Sequence, residues 1–136
     1  MPTVFRAMKV DPADGLPLRG KSMTTFGIRP GDFTIDPVTT MVAKDGNGTS
    51  CNSSPSTLPQ SIRPGKFFGG KGGTKFTCFK LGAGAWGPGL VAAGLDVCID
   101  TDPAKPDHGM MQPEPSMLLA DLELAMEATR PSWNVV

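Results

Sequence analysis

Leu95-Asp96-Val97-Cys98-Ile99-Asp100 alternates apolar and polar residues along its whole length, the period of a strand that buries one face. It reads as the central strand of a sheet. Weaker strands surround it. Residues 4–10 (VFRAMKV) alternate and end in the turn chemistry of Asp11-Pro12-Ala13-Asp14-Gly15. Residues 32–36, 39–43, 49–54 and 76–81 carry further short extended runs, with Asp45-Gly46-Asn47-Gly48 as a tight turn between two of them. Residues 23–29 are extended or a short helix stopped at Arg29-Pro30-Gly31. The segment 82–94, rich in Gly and Ala around Trp86, reads as loop with one turn of helix. Residues 109–113 read as an edge strand closed by Pro113 and Pro115. Only residues 117–129 have a helical period: Leu118, Leu119, Leu122, Ala125 and Met126 share a broad face, Ser116 is placed to cap, and Pro131 stops the helix at Arg130. The expected fold class is α+β, a strand-rich core with one clear C-terminal helix.

At 136 residues the chain makes one domain, residues 1–136, large enough to bury a core without metal or disulfide staples. Its 17 Gly and 14 Pro follow no period, which excludes a collagen repeat and points to many loops between short strands. No apolar run is long enough to span a membrane as a helix, so no membrane partner is expected. Met1-Pro2-Thr3-Val4-Phe5-Arg6 has no apolar signal-peptide core. Cys51, Cys78 and Cys98 are odd in number and match no zinc spacing. Reduced thiols and a cytoplasmic location are the expectation, or export without a classical signal peptide. On that reading the sequons at Asn47 and Asn52 carry no sugar.

The net charge of zero hides an asymmetry. Between Gly46 and Leu95 there is no Asp or Glu, while Arg63, Lys66, Lys71, Lys75 and Lys80 all fall there; beyond, acids outnumber bases. Inside the basic stretch lies Gly69-Gly70-Lys71-Gly72-Gly73-Thr74. Free backbone amides beside lysines suit a phosphate, and a solvated basic hairpin is the plain alternative. The loop is neither a Walker A sequence nor a Rossmann fingerprint. Arg6, flanked by apolar residues in the first strand, either points to water or is held inward for a ligand. His108, the only histidine, falls in the turn Pro106-Asp107-His108-Gly109 and reads as a surface residue. A ribonuclease would use His108 and Glu114 as acid and base with lysines on RNA phosphates; the absence of Tyr and the neutral charge argue against it. Asp96, Asp100, Asp102 and Asp107 form no metal-ligand spacing and read as solvated acids around turns.

Taken in order, several short segments resemble one family. These are Val4-Phe5-Arg6, Asp14-Gly15-Leu16-Pro17 with Gly20 and Ser22, Gly27-Ile28-Arg29-Pro30, Asp32-Phe33-Thr34-Ile35 and the turn-and-serine stretch 46–53. Leu58-Pro59, Arg63-Pro64, Gly69-Gly70, His108-Gly109 with Pro113 and Met117, and Ala128-Thr129-Arg130 with Trp133 follow. The chain resembles ADP-ribosyltransferase-like toxins related to the type VI secretion effector two, over residues 4–133.

The resemblance implies a split, strand-rich core clamping NAD in a cleft, with an Arg or His on a first strand, a Ser/Thr/Tyr element on a second and a Glu on a third. By position, Arg6 would hold the NAD phosphates or ribose, as its bidentate guanidinium suits. Ser50 would order the nicotinamide side, and the basic loop around Lys71 would assist binding. The third position falls on Gln112, where the family pattern has Glu. A neutral amide stabilises an oxocarbenium-like transition state far less than a carboxylate does, so either Glu114 takes over or transfer is weak. The expected function is an NAD-dependent ADP-ribosyltransferase or NAD glycohydrolase of toxin type, with NAD as substrate, no metal, a macromolecular target and a neutralising partner protein. The alternatives are a ribonuclease-type toxin, or a non-catalytic defence or interaction protein on the same fold.

Overall fold

The computed structural model describes all 136 residues. Nine strands and one α-helix follow in the order β1 (Val4–Met8), β2 (Met41–Val42), β3 (Thr49–Asn52), β4 (Thr77–Leu81), β5 (Gly89–Ala92), β6 (Leu95–Ile99), β7 (His108–Pro113), β8 (Met117–Leu118), α1 (Leu119–Thr129) and β9 (Asn134–Val135). Seven strands form one curled antiparallel sheet in the order β5-β6-β7-β3-β1-β4-β9, and β2 pairs with β8 in a small ribbon. The fold is a strand-rich α+β domain with one helix near its C-terminal end.

The sheet is joined unevenly. β1 and β4 share five register pairs and β3 and β7 share four, but β1 and β3 share only Phe5↔Asn52. The ladder therefore parts between β1 and β3, dividing the sheet into a β5-β6-β7-β3 half and a β1-β4-β9 half. One face carries the main core, built from Val4, Met8, Cys51, Phe79, Leu81, Val91, Leu95, Val97 and Met111 of the strands under Leu122 and Met126 of α1, with Phe26 and Trp133. The opposite face of β1 and β4 buries Ala7 and Cys78 against Leu58 of the 53–76 loop. Cβ-free backbone is needed where β3 begins: a side chain on Gly48 would stand 2.1 Å from the Met111 carbonyl oxygen.

Several expectations are corrected. The helix starts at Leu119, because Met117 and Leu118 pair with Val42 and Met41. Ser116 does not cap it; its hydroxyl accepts the Lys44 N–H at 2.8 Å, and Leu118 is the capping residue. Residues 109–113 lie in an interior strand, where Pro113 is tolerated as the last residue and only one ladder donor is lost. β6 is second from the edge, covered by a β5 hairpin that the Gly-rich segment 82–94 supplies. Residues 32–36 form no strand: Pro30–Asp32 is a short 3-10 turn, and Ile35 makes a lone bridge to Val42.

Candidate functional site

The parting of β1 from β3 opens a cleft of ≈ 160 Å³, lined by Arg6, Arg29, Asp32, Ser50 and Asn52 among apolar neighbours. Arg6 is 6% exposed. Its Nη2 reaches only the Met23 carbonyl at 3.5 Å, and its Nη1 is buried with no partner. Burial lowers its pKa to about 10, against the opposing pull of Cys51 and Asp32, so the guanidinium is charged at neutral pH. The neighbouring Arg29 is already paired, donating to the Asp32 carboxylate at 2.8 Å. Cys51, packed behind Arg6, is pushed up to about 12 by its own burial and stays a thiol. A desolvated cation with one long contact and an orphaned N–H group is costly unless something completes it.

Ser50 opens on the same cleft and is itself exposed. Its Oγ lies 2.6 Å from Nε2 of His108, and Nδ1 of His108 lies 2.8 Å from Oδ2 of Asp100. The strand pairing builds this chain: Asn52 opposes His108 across β3 and β7, and the Asp100 N–H donates to the His108 carbonyl at 2.9 Å just past β6. Asp100 is held below the usual carboxylate range, first by the Asp102 N–H and then by His108. His108 is thus the first residue of a strand, half-buried and engaged at both nitrogens, where the sequence suggested a surface turn. Neither Asp100 nor its coupling to Ser50 was legible beforehand, because only the β6–β7–β3 register brings the three together.

Gln112 lies on β7, two residues beyond Met110, the partner of Ser50. Its side chain is committed elsewhere: Oε1 accepts the Gly46 N–H at 3.0 Å and Nε2 donates to Asp96 at 3.1 Å. It does not line the Arg6 cleft. Glu114 is ion-paired with Lys44, which also stands 3.8 Å from Asp96. Residues 109–113 of β7 separate His108 from Glu114, a rise of about 20 Å in extended chain, so the structure does not bring together the acid–base pair that a ribonuclease would use. The glycine loop is no open anion cradle either. The Gly70, Lys71 and Gly72 N–H groups donate to the carbonyls of Phe67, Gln60 and Arg63. Arg63, in turn, donates to the Leu58 and Phe68 carbonyls. Lys71 is exposed and lies outside the cleft lining.

No family model, curated protein or solved structure matches this chain. No group of three or more His, Cys, Asp or Glu side chains is arranged to hold a metal ion, and no helix is long and apolar enough to cross a membrane. The three thiols are unpaired, Cys51 and Cys78 buried and Cys98 partly so.

Proposed function

We propose that the cleft between β1 and β3 binds NAD and that the protein transfers its ADP-ribose to a macromolecule, or hydrolyses NAD slowly. The observation that carries this reading is the buried Arg6 guanidinium with an unpartnered Nη1 beside Ser50. A pyrophosphate or ribose oxygen supplies the acceptor that the protein withholds. Two further features support it. Arg6, Ser50 and Gln112 stand on β1, β3 and β7, which are adjacent in the sheet in that order. The sheet also parts at the strand pair that carries Arg6 and Ser50, as a split core would require.

Gln112 marks the difference from an efficient transferase. A carboxylate there would meet Asp96, so Gln112→Glu alone sets two acids against each other. Gln112→Glu combined with Asp96→Asn places a carboxylate without that repulsion, but outside the Arg6 cleft, so NAD turnover should stay near the wild-type rate. The primary experiment mixes the protein with NAD and follows nicotinamide release. Wild type should release it, and Arg6→Met should bind NAD more weakly by calorimetry. Absence of both NAD binding and turnover in wild type overturns the proposal.

A further inference from the structure

Ser50, His108 and Asp100 make a continuous hydrogen-bonded chain from an exposed hydroxyl to a carboxylate. Holding a sugar requires no base on a serine, so the NAD reading leaves His108 and Asp100 without work. The second oxygen of Asp100 accepts the Asp102 N–H at 2.9 Å, which fixes the carboxylate edge toward the ring. A carboxylate can only accept, so Nδ1 of His108 bears the proton, and in the neutral ring the Nε2 lone pair faces the Ser50 hydroxyl. The chain stands on a ridge between two depressions: Ser50 lines the Arg6 cleft, His108 lines a neighbouring groove of ≈ 320 Å³, and Asn52 and Pro59 line both. A nucleophile, a base and a group orienting the base are thus present at bonding distance beside open space on both sides, with a buried cation in one of them.

We propose that Ser50 is an activated nucleophile, with His108 as its base and Asp100 as the positioning residue, and that it accepts acyl groups from small carboxylic esters whose acyl part carries an anionic group held by Arg6. Ser50 Oγ attacks the ester carbonyl carbon as its proton passes to His108 Nε2. The tetrahedral adduct collapses by breaking the bond to the alcohol oxygen, which takes the proton from Nε2. Water then attacks acyl-Ser50 with the same proton transfers, releasing the carboxylic acid and restoring the hydroxyl. Asp100 keeps the Nδ1–H tautomer and stabilises the imidazolium formed on the way. This activity does not rest on the NAD reading.

The test incubates the full chain with an alkyl fluorophosphonate and maps the adduct by mass spectrometry. In parallel, release of p-nitrophenol from the succinate and acetate esters is followed. One adduct is expected, on Ser50 and absent from Ser50→Ala, with the succinate ester preferred and that preference narrowed in Arg6→Met. His108→Gly should slow labelling roughly 10²–10⁴-fold, the range for a positioned base, and added imidazole should restore part of it. Asp100→Asn should slow it and Asp100→Glu recover part, with the thermal midpoint of each close to wild type. No adduct, an adduct on another residue, or equal labelling of wild type and His108→Gly overturns the nucleophile. Equal wild-type rates on the two esters overturn the anionic substrate class. Nicotinamide release measured on the same preparations reports the NAD reading separately.

Discussion

Two arginines are buried in this molecule, and they are treated in opposite ways. Arg130, 3% exposed at the end of α1, is surrounded by acceptors. Its Nε donates to the Pro17 carbonyl at 2.9 Å, Nη1 to Asp14 at 2.8 Å, and Nη2 to Asp14 at 3.2 Å and Asp11 at 3.3 Å. Arg6, almost equally buried, has one long contact and an orphaned Nη1. The first arrangement ties the helix end to the N-terminal turn and offers a ligand nothing. The second leaves a desolvated cation facing a cleft. Burial of charge therefore marks structure where acceptors saturate it, and a site where they are withheld.

The largest expected effect breaks the saturated corner. Arg130→Ala should lower unfolding free energy by about 3 kcal/mol in urea titration, the low end for breaking a buried pair because the stranded Asp11 and Asp14 are partly exposed. Arg6→Met is the contrasting case. It should leave the thermal midpoint unchanged or raised, since a cation without a partner is removed, while weakening NAD binding by about 2 kcal/mol, roughly thirtyfold in Kd by calorimetry. A loss of stability equal to that of Arg130→Ala would erase the distinction.

Gln112 extends the comparison to an amide, which is satisfied at both ends like Arg130. Gln112→Glu should cost about 1–2 kcal/mol in the same titration, through the lost donor to Asp96 and two facing carboxylates. The smallest effect concerns Asp14, whose carboxyl Arg130 and then the Leu16 N–H hold below the usual range. Its contribution is present above the unfolded pKa and lost as pH falls through the folded one. Asp14→Asn should therefore flatten the acid side of the thermal-midpoint profile and leave its neutral side with only a modest decrease.

Local pattern was sufficient wherever a strand buries one face. The alternation of residues 95–99 is close to period-two burial with Val97 in the core, while residues 77–81 and 4–8 are strands buried on both faces, Phe79 and Val4 in the main core and Cys78 and Ala7 against Leu58. The helix was equally plain up to its first turn, which lies beyond local reach because Met117 and Leu118 are claimed by β2, some 75 residues earlier. β5 has no local signature, because Gly89, at φ 155°, and its neighbours carry no alternating side-chain pattern; the hairpin partner β6 makes the strand. At the site, Arg6 was conspicuous as a charge among apolar residues, and Ser50 came with the family resemblance. Whether Arg6 faced water or a cleft depended on the parting of β1 from β3, which no residue type encodes.

By itself the sequence determined an α+β chain of short strands, the single helix, its stop at Pro131, and the presence of an arginine inside the first strand. Those follow from side-chain periodicity and backbone sterics, which act over a few residues. The tertiary structure alone decided that Gln112 is held by Asp96 and Gly46 and that His108 links Ser50 to Asp100. Each of these is a hydrogen bond between groups whose approach is set by strand order and register. A polar side chain carries no signature of its partner until the fold has put one within about 3 Å of it.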